Sequence, residues 1–338
     1  MVGISLLTLI PGISGGSETY ARNLCRALAR VGGLEYRVFV PEIAADAADG
    51  LPWQVVGSYR SSRSMPGRIA AMSRAALLPK PLLRELGVER LTAIHFPLSV
   101  MLPAVERPPA ATTVLDLQHE EHPQFFGRAE LAYRRSVYGR TIRRSRIVIT
   151  ISEHARRTLI ERYDLDPERV RAIHLAVDHD VFTPEISSRG AAPVGAPAAG
   201  SYQRALHQLV EALDLEGVVR FTGSVAPGVL AAHYRSADVF VCLSEHEGFC
   251  VPLVEAMRHR VPVVAFAAAA VPETVGAAAL LLRSKAPLTV AAAVERLRSR
   301  PDLLEALVAG GLCRASEFDV ARSTARFAEV LGQALGAA

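Results

Sequence analysis

Short apolar runs rich in branched residues alternate with longer stretches of helical periodicity along most of this chain, and this alternation limits the fold more than any other feature. It predicts parallel sheets covered by helices, because parallel strands need long crossover connections. The predicted strands span residues 3–9, 36–40, 93–96, 112–115 and 147–151, then 218–221, 239–243, 261–266 and 279–282. The predicted helices span residues 18–30, 69–78, 130–143, 154–163, 203–213, 229–236 and 251–258, with mostly helix from residue 289 onward.

The length of 338 residues is more than twice that of a typical domain, which predicts two doubly wound layers in tandem. We expect one domain over residues 1–168 and a second over residues 169–320. A last helix over residues 321–338 is expected to pack back on the first domain. Residues 184–200 consist mainly of Pro, Gly, Ala and Ser, with almost nothing to bury, and are predicted to be a linker.

Composition argues against several functional classes. The net charge of +4 is mild and the basic residues are not interleaved with aromatic ones, which argues against nucleic-acid binding. No uncharged apolar run approaches the roughly 20 residues of a membrane span, and no secretory signal is recognisable. We therefore expect a cytoplasmic protein. The arginine-rich helix at residues 130–143 predicts a solvated face, with peripheral contact to the inner face of the membrane as the minority alternative.

A glycine-rich loop follows the first predicted strand, in the sequence IPGISGGSETYARNL. Gly15 and Gly16 allow unusual backbone angles and close approach of a ligand, and the free N–H groups of the next helix attract an anion. The loop is therefore a candidate to hold a phosphate or a sugar, although it lacks the G-x-G-x-x-G pattern of dinucleotide-binding proteins. A plain strand-to-helix turn capped by Ser17 explains the same residues equally well.

Polar residues follow the strand predicted at 112–115, in the sequence DLQHEEHP. Ligands of open α/β sheets bind beyond the carboxyl ends of the strands, so Asp116 and His119 are candidates to orient a hydroxyl or to exchange a proton. A solvated acidic turn is the equal alternative. Metal binding by His119 and His122 is the weaker interpretation, because no suitably spaced third ligand accompanies them.

The stretch SEHEGFCVPLVE, residues 244–255, holds two carboxylates eight positions apart. Pro252 is tolerated only in the first turn of a helix, which places Glu247 in the preceding loop and Glu255 about one turn inside the helix. The N–H groups of residues 248–251 would lie between them, where the helix dipole stabilises a diphosphate. The competing interpretation is a capping box of Ser244 and Glu247, which does not explain Glu255.

Together these stretches resemble the retaining glycosyltransferases of family 4, also called glycosyl transferases group 1. Matching segments follow the family order and cover almost the whole chain except the predicted linker; they include GISGGSETYARNL, DLQHEEHPQFF, VITISEHARRTLIERY, HLAVDHDVF and YRSADVFVCLSEHEGFCVPLVEAM. The resemblance implies the α/β fold called GT-B, in which two Rossmann-like doubly wound parallel-sheet domains face a cleft.

The resemblance also implies an activity. A hexose-type sugar would pass from a nucleoside diphosphate sugar, a UDP- or GDP-sugar, to an acceptor hydroxyl with retained anomeric configuration by front-face attack. Neither a metal nor a permanently bound cofactor is implied. The acceptor would be a glycan, a lipid-linked molecule or a small molecule.

Site residues follow from the same resemblance, each at the position that matches the family motif. Glu247 would contact the donor sugar near the reacting carbon, and Glu255 would bind the ribose. Asp116 and His119 would face the acceptor. Backbone groups would lie close to the donor sugar and diphosphate at Gly15, Gly16, Gly248, Phe249, Cys250 and Val251.

Two departures from the family pattern carry their own predictions. Leu115 precedes the aspartate where many relatives have His, and His119 is the candidate to replace it.

Residues 184–200 stand where the family has the first strand-helix-strand unit of the donor domain with its Arg and Lys, so the second domain is predicted to lack that unit. Each cation on a leaving phosphate is worth about 10²- to 10³-fold in rate. The alternative function is therefore a catalytically impaired remnant that binds nucleotide-sugar weakly or acts as an interaction protein. A nicotinamide-dependent oxidoreductase is disfavoured by the missing glycine fingerprint.

Overall fold

A computed structural model describes residues 1–13, 15–31, 33–177, 200–223 and 225–336. The α/β prediction is confirmed. The strands are β1 (Val2–Ser5), β2 (Tyr36–Val40), β3 (Trp53–Val55), β4 (Ala93–Phe96), β5 (Ala110–Val114), β6 (Ile147–Thr150), β7 (Val170–Ala172), β8 (Phe240–Cys242), β9 (Val263–Phe266) and β10 (Ala279–Leu282). The helices are α1 (Gly16–Val31), α2 (Met65–Leu77), α3 (Pro79–Leu86), α4 (Gln118–Glu121), α5 (Arg128–Arg144), α6 (Glu153–Tyr163), α7 (Gly200–Ala212), α8 (Pro227–Ser236), α9 (Val251–Arg258), α10 (Val271–Val275), α11 (Pro287–Ser299), α12 (Pro301–Ser316) and α13 (Val320–Gly336).

Contacts divide the chain into two units. Unit 1 comprises Met1–Ala176, His246–Phe249 and Asp319–Ala338, and unit 2 comprises Val177–Glu245 and Cys250–Phe318. The short stretch from His246 to Phe249 thus packs with unit 1 although both of its neighbours along the chain belong to unit 2. The predicted domain boundaries at residues 168 and 320 stay predictions.

Unit 1 is built on a seven-stranded sheet with the order β3-β2-β1-β4-β5-β6-β7, in which every pair is parallel. The chain starts in the middle at β1, winds outward to β3, then returns to β4 and winds the other way. Between β1 and β4 the winding therefore reverses, which is where open parallel sheets bind ligands. The loop that holds Gly15 and Gly16 follows β1, which is one of the two strands between which the winding reverses.

Helices cover both faces of this sheet. Strands β1, β4, β5 and β6 are buried at every residue, as expected for strands between two helical layers. On one face, α1 and α13 pack together, with Leu28 and Phe327 in one buried cluster. On the other face, Leu82 and Leu86 of α3 share a buried cluster with Phe96 of β4. The last helix therefore completes the core of unit 1.

Unit 2 holds a parallel sheet in the order β10-β9-β8. Its core combines Val264 and Leu282 of the sheet with Leu297 of α11 and Leu307 of α12. Helices α9 and α12 pack closely, because Gly311 lets α12 approach Met257: a Cβ at residue 311 would lie 3.1 Å from Met257 Cγ.

Several predicted elements differ from the structure. β1 ends at Ser5 because the chain turns at residues 6–9, where the Leu9 N–H donates to the Leu6 carbonyl. The strand predicted at residues 218–221 is wrong. Val218 is 71% exposed, and its N–H donates to the Leu215 carbonyl in a turn that follows α7. β3 and β7 were not predicted. The linker at 184–200 and the missing strand-helix-strand unit lie outside the described residues, apart from Gly200, which begins α7.

Candidate functional site

The loop between β1 and α1 is held in shape by one acidic side chain. Glu18, in the first turn of α1, accepts the Gly12 N–H at 2.8 Å and pairs with Arg22 at 3.1 Å. Gly12 and Gly15 have φ angles of 76° and 52°, in the left-handed region that favours glycine. The glutamate therefore ties the loop back onto its own helix.

Gly15 and Gly16 leave the backbone of this loop accessible. Both are exposed, and an added Cβ at either would meet no atom of the described residues within 4 Å. In the described part of the chain their N–H groups donate to no acceptor. α1 begins at Gly16, so Ser17 lies inside the helix, and the turn capped by Ser17 is not what forms. The exposed, unbonded N–H groups retain the capacity to bind an anion.

Asp116, directly after β5, belongs to a hydrogen-bonded chain of acidic and imidazole groups. His246 donates from Nε2 to Asp116 Oδ1 at 2.8 Å and from Nδ1 to Glu121 Oε2 at 3.0 Å. Glu121 Oε1 accepts from His154 Nε2 and from Thr158 Oγ1, each at 2.9 Å. The His246 side chain is only 7% exposed, whereas that of Asp116 is 44% exposed. The chain therefore fixes one Asp116 oxygen while the side chain remains open to solvent.

The protonation states of Asp116, Glu121 and His246 follow from their contacts. Burial alone would lower the pKa of His246, but the hydrogen bonds to Asp116 and Glu121 outweigh it and raise the pKa to about 9. Hydrogen bonds from His154 and His246 hold the pKa of Glu121 far below its usual range. Burial alone would raise the pKa of Asp116, yet the bonds from His246 and the Gln118 N–H lower it. At neutral pH the two carboxylates are ionised and His246 is an imidazolium.

His119 is not part of this hydrogen-bonded series of side chains and lies in the interior of unit 1. Its side chain is fully buried and edge-on to Tyr138, with ring centroids 4.8 Å apart. Within the described residues neither ring nitrogen has a hydrogen-bond partner, and burial lowers the pKa of the ring. This position gives no support to direct contact between His119 and an acceptor. The imidazole that meets Asp116 belongs to His246, which the sequence reasoning missed.

Glu247 follows His246 in the same short stretch of unit 1. Its side chain is half-buried, and in the described part of the chain its carboxylate has neither a hydrogen bond nor an ion pair. The loop is fixed on both sides of it. His246 binds the two carboxylates, and Gly248 packs so closely that a Cβ there would lie 2.8 Å from the Leu115 carbonyl oxygen. Glu247 is thus an unpaired acid on an anchored loop.

Phe249 and Cys250 connect this loop to the helix that follows. The Phe249 ring is buried, at 1% exposure, and lies 5.7 Å from the ring of His174. Cys250 has a φ of 68°, and its buried thiol lies 3.8 Å from the thiol of Cys242 at the end of β8. The backbone of both residues is therefore held by side chains that point into the protein.

α9 begins at Val251 with Pro252 in its first turn, as the sequence reasoning predicted. Among the described residues no side chain caps this helix, and Ser244 lies seven residues before it, so the capping box of Ser244 and Glu247 does not form. The N–H of Val251 donates to no acceptor among the described residues.

Glu255, one turn into α9, is paired with a tyrosine. Tyr234 of α8 donates to Glu255 Oε2 at 2.9 Å, and its ring stacks on His259 at 5.5 Å. Burial raises the pKa of Glu255, while the Tyr234 bond opposes that rise. Burial and the neighbouring carboxylate raise the pKa of Tyr234. Tyr234 is a positioning contact for Glu255 that the sequence did not reveal.

Comparison with known families identifies the family of this chain. The model for Glycosyltransferase Family 4 matches residues 14–181, and the model for Glycosyl transferases group 1 matches residues 179–300. The chain belongs to glycosyltransferase family 4. The predicted family is therefore confirmed, and the two matches together run through residues 14–300, including the segment predicted to be a linker.

Curated relatives match over part of their length. The D-inositol 3-phosphate glycosyltransferase of Geodermatophilus obscurus is 28% identical over 212 residues, covering 48% of this chain and 47% of the relative. The O-antigen chain mannosyltransferase B of Escherichia coli is 35% identical over 113 residues, covering 33% of this chain and 30% of the relative. The chain spans about half or less of the length of the curated relatives it matches.

Solved structures confirm the GT-B fold. Sucrose-phosphate synthase from Thermosynechococcus elongatus superposes with a TM-score of 0.77 at 17% identity, covering 100% of this chain and 99% of that one. HepE from Anabaena, in complex with UDP-glucose, gives a TM-score of 0.74 at 17% identity, with 98% and 99% covered. Within the described residues, no helix combines the length and apolar composition needed to cross a bilayer. The predicted cytoplasmic location and peripheral membrane contact stay predictions.

Proposed function

We propose that this chain transfers a hexose-type sugar from a UDP- or GDP-sugar to an acceptor hydroxyl with retention of configuration. The observation that carries the proposal is Glu247, a half-buried carboxylate without a partner in the described residues, on a loop anchored by His246 and Gly248. An acid left unpaired on a fixed loop is suited to contact positive charge that develops at the anomeric carbon. HepE, a structure with the same fold, is in complex with UDP-glucose, which supports a nucleotide-sugar donor.

The other residues have separate roles in this proposal. The ionised Asp116, with one oxygen held by His246, accepts a hydrogen bond from the acceptor hydroxyl and orients it. The N–H groups at Gly15, Gly16 and residues 248–251 stabilise charge on the leaving diphosphate, as backbone donors at helix N-termini do. Glu255 accepts hydrogen bonds from the ribose hydroxyls. His119 supports the fold around Asp116 and does not touch the acceptor.

Front-face retention places the incoming hydroxyl and the leaving diphosphate on one side of the sugar ring. The bond from the anomeric carbon to the diphosphate oxygen breaks as the bond to the acceptor oxygen forms, and the acceptor proton passes to the departing phosphate oxygen. The protein contributes orientation and charge stabilisation, and no covalent intermediate with a side chain is required.

Release of nucleoside diphosphate tests this proposal. Purified protein is incubated with UDP-glucose, GDP-mannose and related donors, with D-inositol 3-phosphate as the first acceptor because a relative carries it in its name. We expect UDP or GDP release to fall about 10²-fold or more in Glu247→Gln. Glu245→Gln is the matched control, because Glu245 is 52% exposed and pairs with Lys285.

The outcomes separate the alternatives. NMR of the product distinguishes the retained from the inverted anomer. Binding of a donor without any turnover would favour the catalytically impaired remnant, for which the comparisons give no support. If no donor is turned over and Glu247→Gln binds donors as the wild type does, Glu247 has no part in the reaction and the proposal is wrong.

A further inference from the structure

Three potential metal ligands converge in unit 1. One ligand atom from each of Glu121, His122 and His246 lies within 4.8 Å of the others. Glu121 ends α4, His122 follows it, and His246 comes from the stretch that packs with unit 1 from more than 100 residues further along the chain. None of the roles proposed above uses His122 or Glu121 to contact donor or acceptor.

The closest pair of ligand atoms, now joined by a hydrogen bond, is a few tenths of an ångström nearer than a tetrahedral ion would hold it. Zinc bonds to histidine nitrogen and carboxylate oxygen measure about 2.0–2.2 Å, so two such ligands lie about 3.3–3.6 Å apart on a tetrahedron. His246 Nδ1 and Glu121 Oε2 are 3.0 Å apart. The His122 ring lies edge-on to His246 at 5.6 Å between centroids and is half-buried, and one of its ligand atoms lies within 4.8 Å of those of Glu121 and His246.

The outer contacts of Glu121 and His246 are those of a metal site. A ligating histidine commonly donates its second ring N–H to a carboxylate, which fixes the ring. His246 does so, from Nε2 to Asp116 Oδ1 at 2.8 Å. The Glu121 oxygen that faces away from His246 accepts from His154 and Thr158. Both ligands are therefore oriented by other side chains before any ion arrives.

We propose that Glu121, His122 and His246 bind a divalent transition-metal ion of the zinc type. The ion takes the place of the His246 Nδ1 proton, which is released to solvent, while the Nε2–H still donates to Asp116. Two imidazoles and one carboxylate favour such an ion over Mg²⁺ or Ca²⁺, which prefer oxygen ligands alone. A fourth coordination position is left for water. Because His246 precedes Glu247, the bound ion also restrains the loop that carries Glu247. No step of the sugar transfer passes through the ion.

Metal binding is measured directly, without reference to activity. Protein treated with a chelator and then freed of it is titrated with Zn²⁺ by calorimetry and with Co²⁺ by visible absorption, whose intensity reports a four- or five-coordinate site. We expect one Zn²⁺ to bind at Glu121, His122 and His246. His122→Asn and Glu121→Gln should each weaken Zn²⁺ binding at least tenfold and reduce the Co²⁺ absorption.

Two further variants sharpen the test. Thr158→Val removes an outer contact of Glu121 and should weaken Zn²⁺ binding about tenfold. His233→Asn, on α8 in unit 2, is the matched control and should leave binding unchanged. His122 is half-buried, so His122→Asn should keep the fold, which circular dichroism checks. No Co²⁺ absorption in the wild type, or binding equal in His122→Asn and wild type, would mean that these residues form only a metal-free ion-pair chain and would overturn the proposal.

Discussion

At the scale of single residues, the proposed ribose ligand has a cost for stability. Burial raises the pKa of Glu255 above its ordinary value of 4.5, so the folded protein favours its protonated form. The resulting stability is fully present below the pKa of the unfolded chain and is lost as pH rises through the folded pKa. Negative charge on Glu255 therefore opposes folding.

Replacing that carboxylate should stabilise the protein. We expect Glu255→Gln to unfold at higher temperature than the wild type at pH 7, because the amide carries no charge and can still accept the Tyr234 hydroxyl. The difference should shrink as pH falls toward 4. Thermal unfolding followed by circular dichroism at both pH values measures this. A Glu255→Gln protein less stable than wild type at pH 7 would show that Glu255 is stabilising when charged.

Gly248 has a steric reason to be glycine, in addition to any ligand contact. A Cβ would lie 2.8 Å from the Leu115 carbonyl oxygen and 3.2 Å from Ile151 Cδ1. We expect Gly248→Ala to cost about 1–3 kcal/mol of unfolding free energy, as overpacking does. Gly217→Ala is the control, since a Cβ there meets nothing within 4 Å. Urea unfolding compares the two, and equal midpoints would contradict the close packing.

Residue-level prediction succeeded where the signal was local. Pro252 fixed the start of α9 and hence the positions of Glu247 and Glu255 relative to the helix, because proline excludes an interior position. The contact of Asp116 with His246 joins residues 130 positions apart, and no local pattern encodes it. His119 was predicted to be a site residue from its place after a strand and from the family resemblance, and its burial beside the rings of Phe126 and Tyr138 is a tertiary contact that no local pattern encodes.

At the scale of elements, burial decided which strands could be predicted. β2 matches its predicted range, and β6 differs by one residue, since both are mostly apolar and buried, with Arg37 the one exposed residue of the two strands. β3 and β7 are three-residue strands at the two edges of the sheet, too short to give a pattern. The turn at residues 218–221 has the composition of a strand but no pairing partner there among the described strands.

The contribution of the last helix, α13, to the stability of unit 1 can be measured. Phe327 of α13 is 3% exposed and meets His95 of β4 edge-on at 4.9 Å. We expect Phe327→Ala to cost unit 1 about 3–5 kcal/mol. Trp53, the chain's one tryptophan, lies on β3 in the same unit, so its fluorescence in urea reports the change. Arg326→Ala, at an exposed neighbouring position, should have little effect. A Phe327→Ala midpoint equal to that of Arg326→Ala would show that α13 does not stabilise the unit.

At the scale of the whole molecule, nucleotide binding can be measured through the stability of the folded protein. A ligand that binds only the folded protein stabilises it by RT ln(1 + [L]/Kd), about 2.7 kcal/mol at a hundred times Kd. If Glu255 binds the ribose, UDP or GDP should raise the unfolding temperature of the wild type. Inorganic phosphate, which has no ribose, should raise it less.

Glu255→Gln should separate stability from binding in a single experiment. Without nucleotide we expect this variant to unfold at higher temperature than wild type at pH 7, because the amide avoids the buried negative charge of Glu255. With UDP or GDP its unfolding temperature should rise less than that of wild type, because a neutral amide is a weaker acceptor for the ribose hydroxyls. Glu305→Gln, on the exposed side of α12, should behave as wild type in both conditions. An equal nucleotide-induced shift in Glu255→Gln and wild type would exclude Glu255 as the ribose ligand, whatever the variant's stability alone.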